Sequence, residues 1–187
     1  MMTNDEFHQI AQDLEIYHGI FAKLWQMGKP VFNSKIPRAC VSFDKKGGFF
    51  QFEFNPDFYK TLTPYTLKFV ICHEVLHVLL NHGIRSLQCD REFANIAMDV
   101  VINESLVSSF QFVRSSIQDQ ELYCWYDTVF DTNLPTFSKN KGFEHYYDLL
   151  TNNKMVKSDG GKSGNKNEKS GDKNGNQTVD SHNGFGF

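Results

Sequence analysis

The sequence predicts an α+β fold: an N-terminal helix, a small antiparallel sheet, a buried helix carrying H-E-x-x-H, and a second helix packed antiparallel to it. Three observations lead there. Apolar residues recur every three or four positions from Phe7 to Trp25, the period of an amphipathic helix. Two short segments, 38–43 and 49–54, alternate with a period of two, as strands do. Beyond them, the run from Leu67 to Leu80 is apolar around most of a helix, and yet it contains His73, Glu74 and His77.

The elements follow in order. Thr3-Asn4-Asp5-Glu6 has capping-box spacing and opens the first helix. Phe7, Ile10, Ala11, Leu14, Tyr17, Phe21, Leu24 and Trp25 form its stripe, with an interruption at Gly19 and an end at Gly28 before Pro30. His8 and His18 read as solvated or cap neighbours. Arg38–Phe43 and Phe49–Phe54 pair across a turn at Asp44–Gly48, with Phe50, Phe52 and Phe54 facing the core. Asn55-Pro56 ends the second strand, and a short helix covers 57–62. Thr63 and Pro64 then supply the N-cap and first residue of the motif helix, which runs to about Asn81–Gly83. A polar link leads to the second helix, Arg91 to Val107. A short strand is expected at Phe110–Val113, an ordered aromatic loop up to Phe137, and a last helix over 142–150. These make one domain, 1–152. After Thr151 the composition turns to Gly, Lys, Asn and Ser, so 153–187 is expected to be a flexible tail that docks back at 179–187, where aromatics return.

Composition excludes several classes. A net charge of −3 gives no electrostatic footprint for nucleic acid. No apolar run reaches membrane-spanning length. The N-terminus lacks the basic region and apolar core of a secretory signal. Cys40, Cys72, Cys89 and Cys124 form no C-x-x-C pair and read as reduced thiols of a cytoplasmic protein.

The chemistry gathers on the motif helix. His73 and His77 stand one turn apart on one face, where two imidazoles can hold one Zn²⁺. Glu74 beside them is the candidate general base, taking a proton from water acidified by zinc. A glutamate in so apolar a helix also needs a partner, and a metal with its water is one. Catalytic zinc sites normally use three protein ligands. His82, Asp90, Asp99 and Glu104 are the downstream candidates. His82 lies five residues past His77, about 140° round the helix, off the metal face if the helix continues. Asp99 is the better choice. It sits in a polar stripe, Asn95-Asp99-Asn103, on an otherwise apolar helix, and the two asparagines could hydrogen-bond the ligands. Ala94 and Ala97 are small enough to let the motif helix approach.

Phe54-Asn55-Pro56-Asp57-Phe58, then His73-Glu74-Val75-Leu76-His77 with His82 and Arg85, then Asn95-Ile96-Ala97-Met98-Asp99-Val100-Val101-Ile102-Asn103, resemble a putative metallopeptidase domain of bacteria and phages. That domain commonly precedes a von Willebrand factor A-like domain. Tyr146-Tyr147-Asp148-Leu149-Leu150 is similar to its closing segment, and the resemblance covers roughly residues 15 to 150. It implies a zincin-like fold, zinc on His73, His77 and Asp99, and Glu74 as the catalytic residue of a peptide-bond hydrolase. Protein or peptide substrates are implied, with a partner protein through the tail as a further expectation. In zincins an edge strand pairs with the substrate, and Phe49–Phe54 is the expected edge. Arg85, Tyr126, His145, Tyr146 and Tyr147 are the candidate oxyanion stabilisers. No von Willebrand-type domain follows, so either a stand-alone, phage-encoded version working in the host cytoplasm or a truncated chain is expected. The competing expectation is a non-catalytic, zinc-containing binding or scaffold module acting on host proteins, with His82 or His182 as a fourth ligand.

Overall fold

The computed structural model describes residues 3–14, 19–26, 28–43, 50–133, 137–152 and 177–178. They form a mixed α+β fold of several helices and one small sheet. The capping box is made: Thr3 Oγ1 accepts the Glu6 amide at 3.2 Å, and the Glu6 carboxylate accepts the Thr3 amide at 2.6 Å. Helix α1 covers Asn4–Gln12, and α2, Gly19–Trp25, starts at the glycine where the stripe was expected to break.

Strand β1, Lys29–Phe32, is an element that the alternation did not predict. It runs parallel to β3 (Phe50–Phe54), while β2 (Ala39–Phe43) is antiparallel to β3 as expected. A two-residue strand β4, Gln177–Thr178, lies antiparallel on β2, so the order is β1-β3-β2-β4. The expected edge is therefore corrected. Segment 50–54 has a neighbour on both sides and cannot take up a further strand. Pro30 fits the strand at the border, because its missing N–H is tolerated there. The turn at 44–48 and the tail, apart from β4, lie outside the described residues.

The abundant aromatics fill the space between sheet and helices. Phe52 and Phe54 are fully buried. Trp25 stacks on Phe52 at 5.1 Å, and Phe7 lies 5.0 Å from Phe54 and 4.9 Å from Tyr59. Asn55 caps the short helix α3 (Pro56–Tyr59) through Oδ1, which accepts the Asp57 amide at 2.8 Å, and its Nδ2 donates to the Ile36 carbonyl at 2.7 Å.

Helix α4, Pro64–Leu79, carries the motif and packs on β2, α1 and α2. Thr63 caps it and Pro64 opens it, as expected. It stops short of Gly83. Asn81 takes the left-handed conformation (φ 56°), a region asparagine enters more readily than most residues, and a separate short helix α5, His82–Arg85, follows. Arg85 Nη1 donates to the Leu80 carbonyl at 2.9 Å and Ser86 Oγ to the His82 carbonyl at 2.7 Å, which pins the turn.

Helix α6, Arg91–Ser108, is capped by Asp90. It runs antiparallel to α4, since His73 meets Asn103 and His77 meets Asp99. The expected contact through Ala94 and Ala97 is corrected. Those alanines belong to a second apolar cluster with Phe143, Tyr146, Leu149 and Leu150 of α8 (Phe143–Thr151). They stand roughly 100–200° round α6 from the Asn95-Asp99-Asn103 stripe, so the two sets cannot serve one contact. The stripe faces α4, flanked by Ile102 and Leu106 of the first cluster. The segment 110–113 is not a strand. Gln111 has φ 63°, the Phe112 amide returns to the Leu106 carbonyl at 3.1 Å, and a 3₁₀ turn follows. Among the described residues no helix is long and apolar enough to cross a membrane.

Candidate metal centre

Helices α4 and α6 bring together His73, His77 and Asp99, each fully buried. His73 Nε2 and His77 Nε2 are 3.0 Å apart, and Asp99 Oδ1 lies 3.4 Å from the first and 3.5 Å from the second. Three donors on one tetrahedral ion, each about 2.0–2.1 Å from it, stand roughly 3.3 Å from one another. The triangle has that size, and its two imidazoles and one carboxylate are a donor set able to hold a metal ion. Among the described residues it is the one such group.

The ring of His73 is held in the tautomer this needs. Asn103 Nδ2 donates to the Cys124 carbonyl at 3.0 Å, which turns Asn103 Oδ1 toward His73. His73 Nδ1 donates to that oxygen at 2.8 Å, so the lone pair of Nε2 is directed into the triangle. Asn103 thus has the supporting role read from the stripe. Asn95, one turn before Asp99, is buried on the same side.

Glu74, between the two histidines in the chain, is fully buried within α4. His82 is also fully buried and stays outside the donor group, although the expectation that it lies off the metal face assumed a continuous helix. The turn at Asn81 breaks that condition. His82 Nδ1 lies 3.2 Å from His77 Nδ1, on the side of the ring away from the triangle. Sequence reasoning missed this contact, for which Asn81 before His82 was the available signal. His182 lies outside the described residues.

The other carboxylates weighed as a third ligand have structural work. Asp90 caps α6. Glu104 accepts the Tyr126 amide at 2.9 Å, and burial raises its pKa above the usual carboxylate value. The candidate oxyanion stabilisers are largely engaged too. Tyr146 Oη is 2.9 Å from both Tyr126 Oη and the Ser138 carbonyl and accepts the Lys141 amide, and burial pushes its pKa up. Tyr126 Oη also accepts the Asn140 amide at 3.1 Å. Tyr147 Oη accepts the Asp90 amide at 2.8 Å. Arg85 pairs with Glu144 at 2.6 Å, tying α5 to α8. His145 stands edge-on to the Tyr146 ring at 5.1 Å.

A family model described as a putative metallopeptidase domain matches residues 35–185. The chain belongs to that family. The putative metallopeptidase match includes the whole of α4 and α6, with all three donors, and extends through the tail, whereas α1, α2 and β1 precede it. No curated protein and no solved structure matches the chain.

Proposed function

We propose that this protein is a zinc-dependent peptidase of zincin-like fold, with zinc on His73, His77 and Asp99 and Glu74 as the general base. The observation that carries the reading is the donor triangle of 3.0, 3.4 and 3.5 Å between α6 and α4, the helix that also holds Glu74. Two imidazoles and one carboxylate are a ligand set found in catalytic zinc sites, which keep one position open. Zinc held there supplies Lewis acidity, polarising a peptide carbonyl and making the attacking water easier to deprotonate. The Glu74 carboxylate takes that proton and passes it to the departing amine, and its burial favours this exchange over release of the proton to solvent. Asp99 offsets the ion's charge inside the apolar interior. Asn103 keeps His73 oriented through both halves of the cycle.

One observation favours a second reading. His73, Glu74, His77 and Asp99 are all fully buried, and a metal kept only for stability needs no path for substrate. Against it, structural zinc sites are normally closed by four protein ligands and rich in cysteine. The deciding experiment is cleavage profiling of a bacterial proteome by zinc-loaded wild type and Glu74→Gln. Peptides that appear with wild type and vanish with the variant support the peptidase. Identical profiles support the scaffold.

A further inference from the structure

We infer that His82 is a positioning residue for the metal centre, holding His77 in the tautomer and orientation that direct its Nε2 at the ion. The inference rests on the metal-binding reading above and adds a residue which that reading does not require. His77 Nε2 points into the triangle, 3.0 Å from His73 Nε2 and 3.5 Å from Asp99 Oδ1. For Nε2 to offer a lone pair, a neutral His77 must carry its proton on Nδ1. The acceptor standing 3.2 Å from that nitrogen is His82 Nδ1. His82 must then keep Nδ1 bare and carry its own proton on Nε2.

The fold places His82 for this. The left-handed residue Asn81 ends α4 and starts α5, so His82 returns to the ring one helical turn behind it. The ring of His82 lies edge-on to Phe143 at 5.3 Å, and the Arg85 guanidinium lies over the same Phe143 ring at 4.9 Å. Arg85 also binds Glu144 and the Leu80 carbonyl. Helix α8 therefore fixes His82, and His82 fixes His77. The result mirrors the other side of the site, where Asn103 holds the Nδ1 of His73. Each metal-facing imidazole meets a buried polar group at its Nδ1, and the two groups come from different elements.

The test has two arms. In the first, zinc affinity is measured by competition with a chromophoric chelator for wild type, His82→Leu and His82→Asn. His82→Leu fills the space but accepts no hydrogen bond, and it should weaken zinc binding by about 10- to 100-fold. His82→Asn offers a carbonyl oxygen to His77 Nδ1 and should recover much of that loss. Wild-type affinity in His82→Leu, or an equal loss in His82→Asn, would overturn the inference while leaving the zinc site itself intact. No zinc binding by wild type would overturn both readings. The second arm uses wild type alone and does not depend on a variant folding. Long-range ¹H–¹⁵N spectra of the imidazoles in the zinc-loaded protein should show His77 protonated at Nδ1 and His82 protonated at Nε2 only. A proton on His82 Nδ1 would overturn the inference.

Discussion

Asn103 presents its carbonyl oxygen to His73 Nδ1 at 2.8 Å and its amide nitrogen to the Cys124 carbonyl at 3.0 Å, so one side chain joins the motif helix to the loop before α7 (Tyr126–Val129). Both contacts are buried, and each has a separate readout. Asn103→Leu should weaken zinc binding by about 10- to 100-fold through the loss of the His73 contact. It should also destabilise the metal-free protein by roughly 1–3 kcal/mol, because a buried carbonyl loses its donor. Chelator competition and urea unfolding in the presence of a chelator measure the two effects independently.

Asp99 should affect the two states of the protein in opposite senses. In metal-free protein a fully buried carboxylate is costly, so Asp99→Asn should be at least as stable as wild type when both are stripped with chelator. With zinc the order should reverse. Wild type gains about 2.7 kcal/mol at a free zinc concentration 100 times its Kd, whereas the amide variant binds more weakly and gains less. Asp99→Ala should lose zinc altogether. Thermal unfolding with and without zinc gives the ordering.

Tyr146 was a candidate for stabilising an oxyanion, but its hydroxyl is committed to Tyr126, the Ser138 carbonyl and the Lys141 amide. Tyr146→Phe should lower stability by roughly 1–2 kcal/mol. Zinc affinity and any peptide cleavage should stay at wild-type levels. A selective loss of cleavage in a variant of normal stability would return Tyr146 to the reaction.

Glu104 carries a pH dependence whose sign is fixed. Burial, its largest cause, raises the folded-state pKa above the ordinary 4.5. The folded state then holds its proton to higher pH than the unfolded chain does, so this group's contribution falls as pH rises through that window. Glu104→Gln keeps an acceptor for the Tyr126 amide and removes the charge. It should be more stable than wild type at neutral pH, and the advantage should disappear below pH 4.5. Urea unfolding across pH 4–7 checks both limits.

The donors were legible because helical spacing is local information. His73 and His77 are one turn apart, and Asp99 stood out as a carboxylate among Ala97, Met98, Val100 and Val101. The expected caps at Thr3 and Thr63 are equally local, and both form. What depended on distant partners was harder to read. Strand β1 is four residues long, contains Pro30, and exists through parallel pairing with a strand about twenty residues later. Its presence moves β3 from the border of the sheet to the interior. Ala94 and Ala97 were correctly read as small contact residues, but the helix they admit is α8. His82 stays off the metal face as expected, but its contact with His77 was missed for one backbone reason, the left-handed residue at Asn81, which no hydrophobic periodicity reports.

The most direct measurement is diffraction from crystals of the purified protein on either side of the zinc absorption edge. The account predicts one anomalous peak, about 2.0–2.2 Å from His73 Nε2, His77 Nε2 and an Asp99 carboxylate oxygen. No zinc in the triangle, or a zinc bound with Asp99 more than roughly 4 Å away, would contradict it.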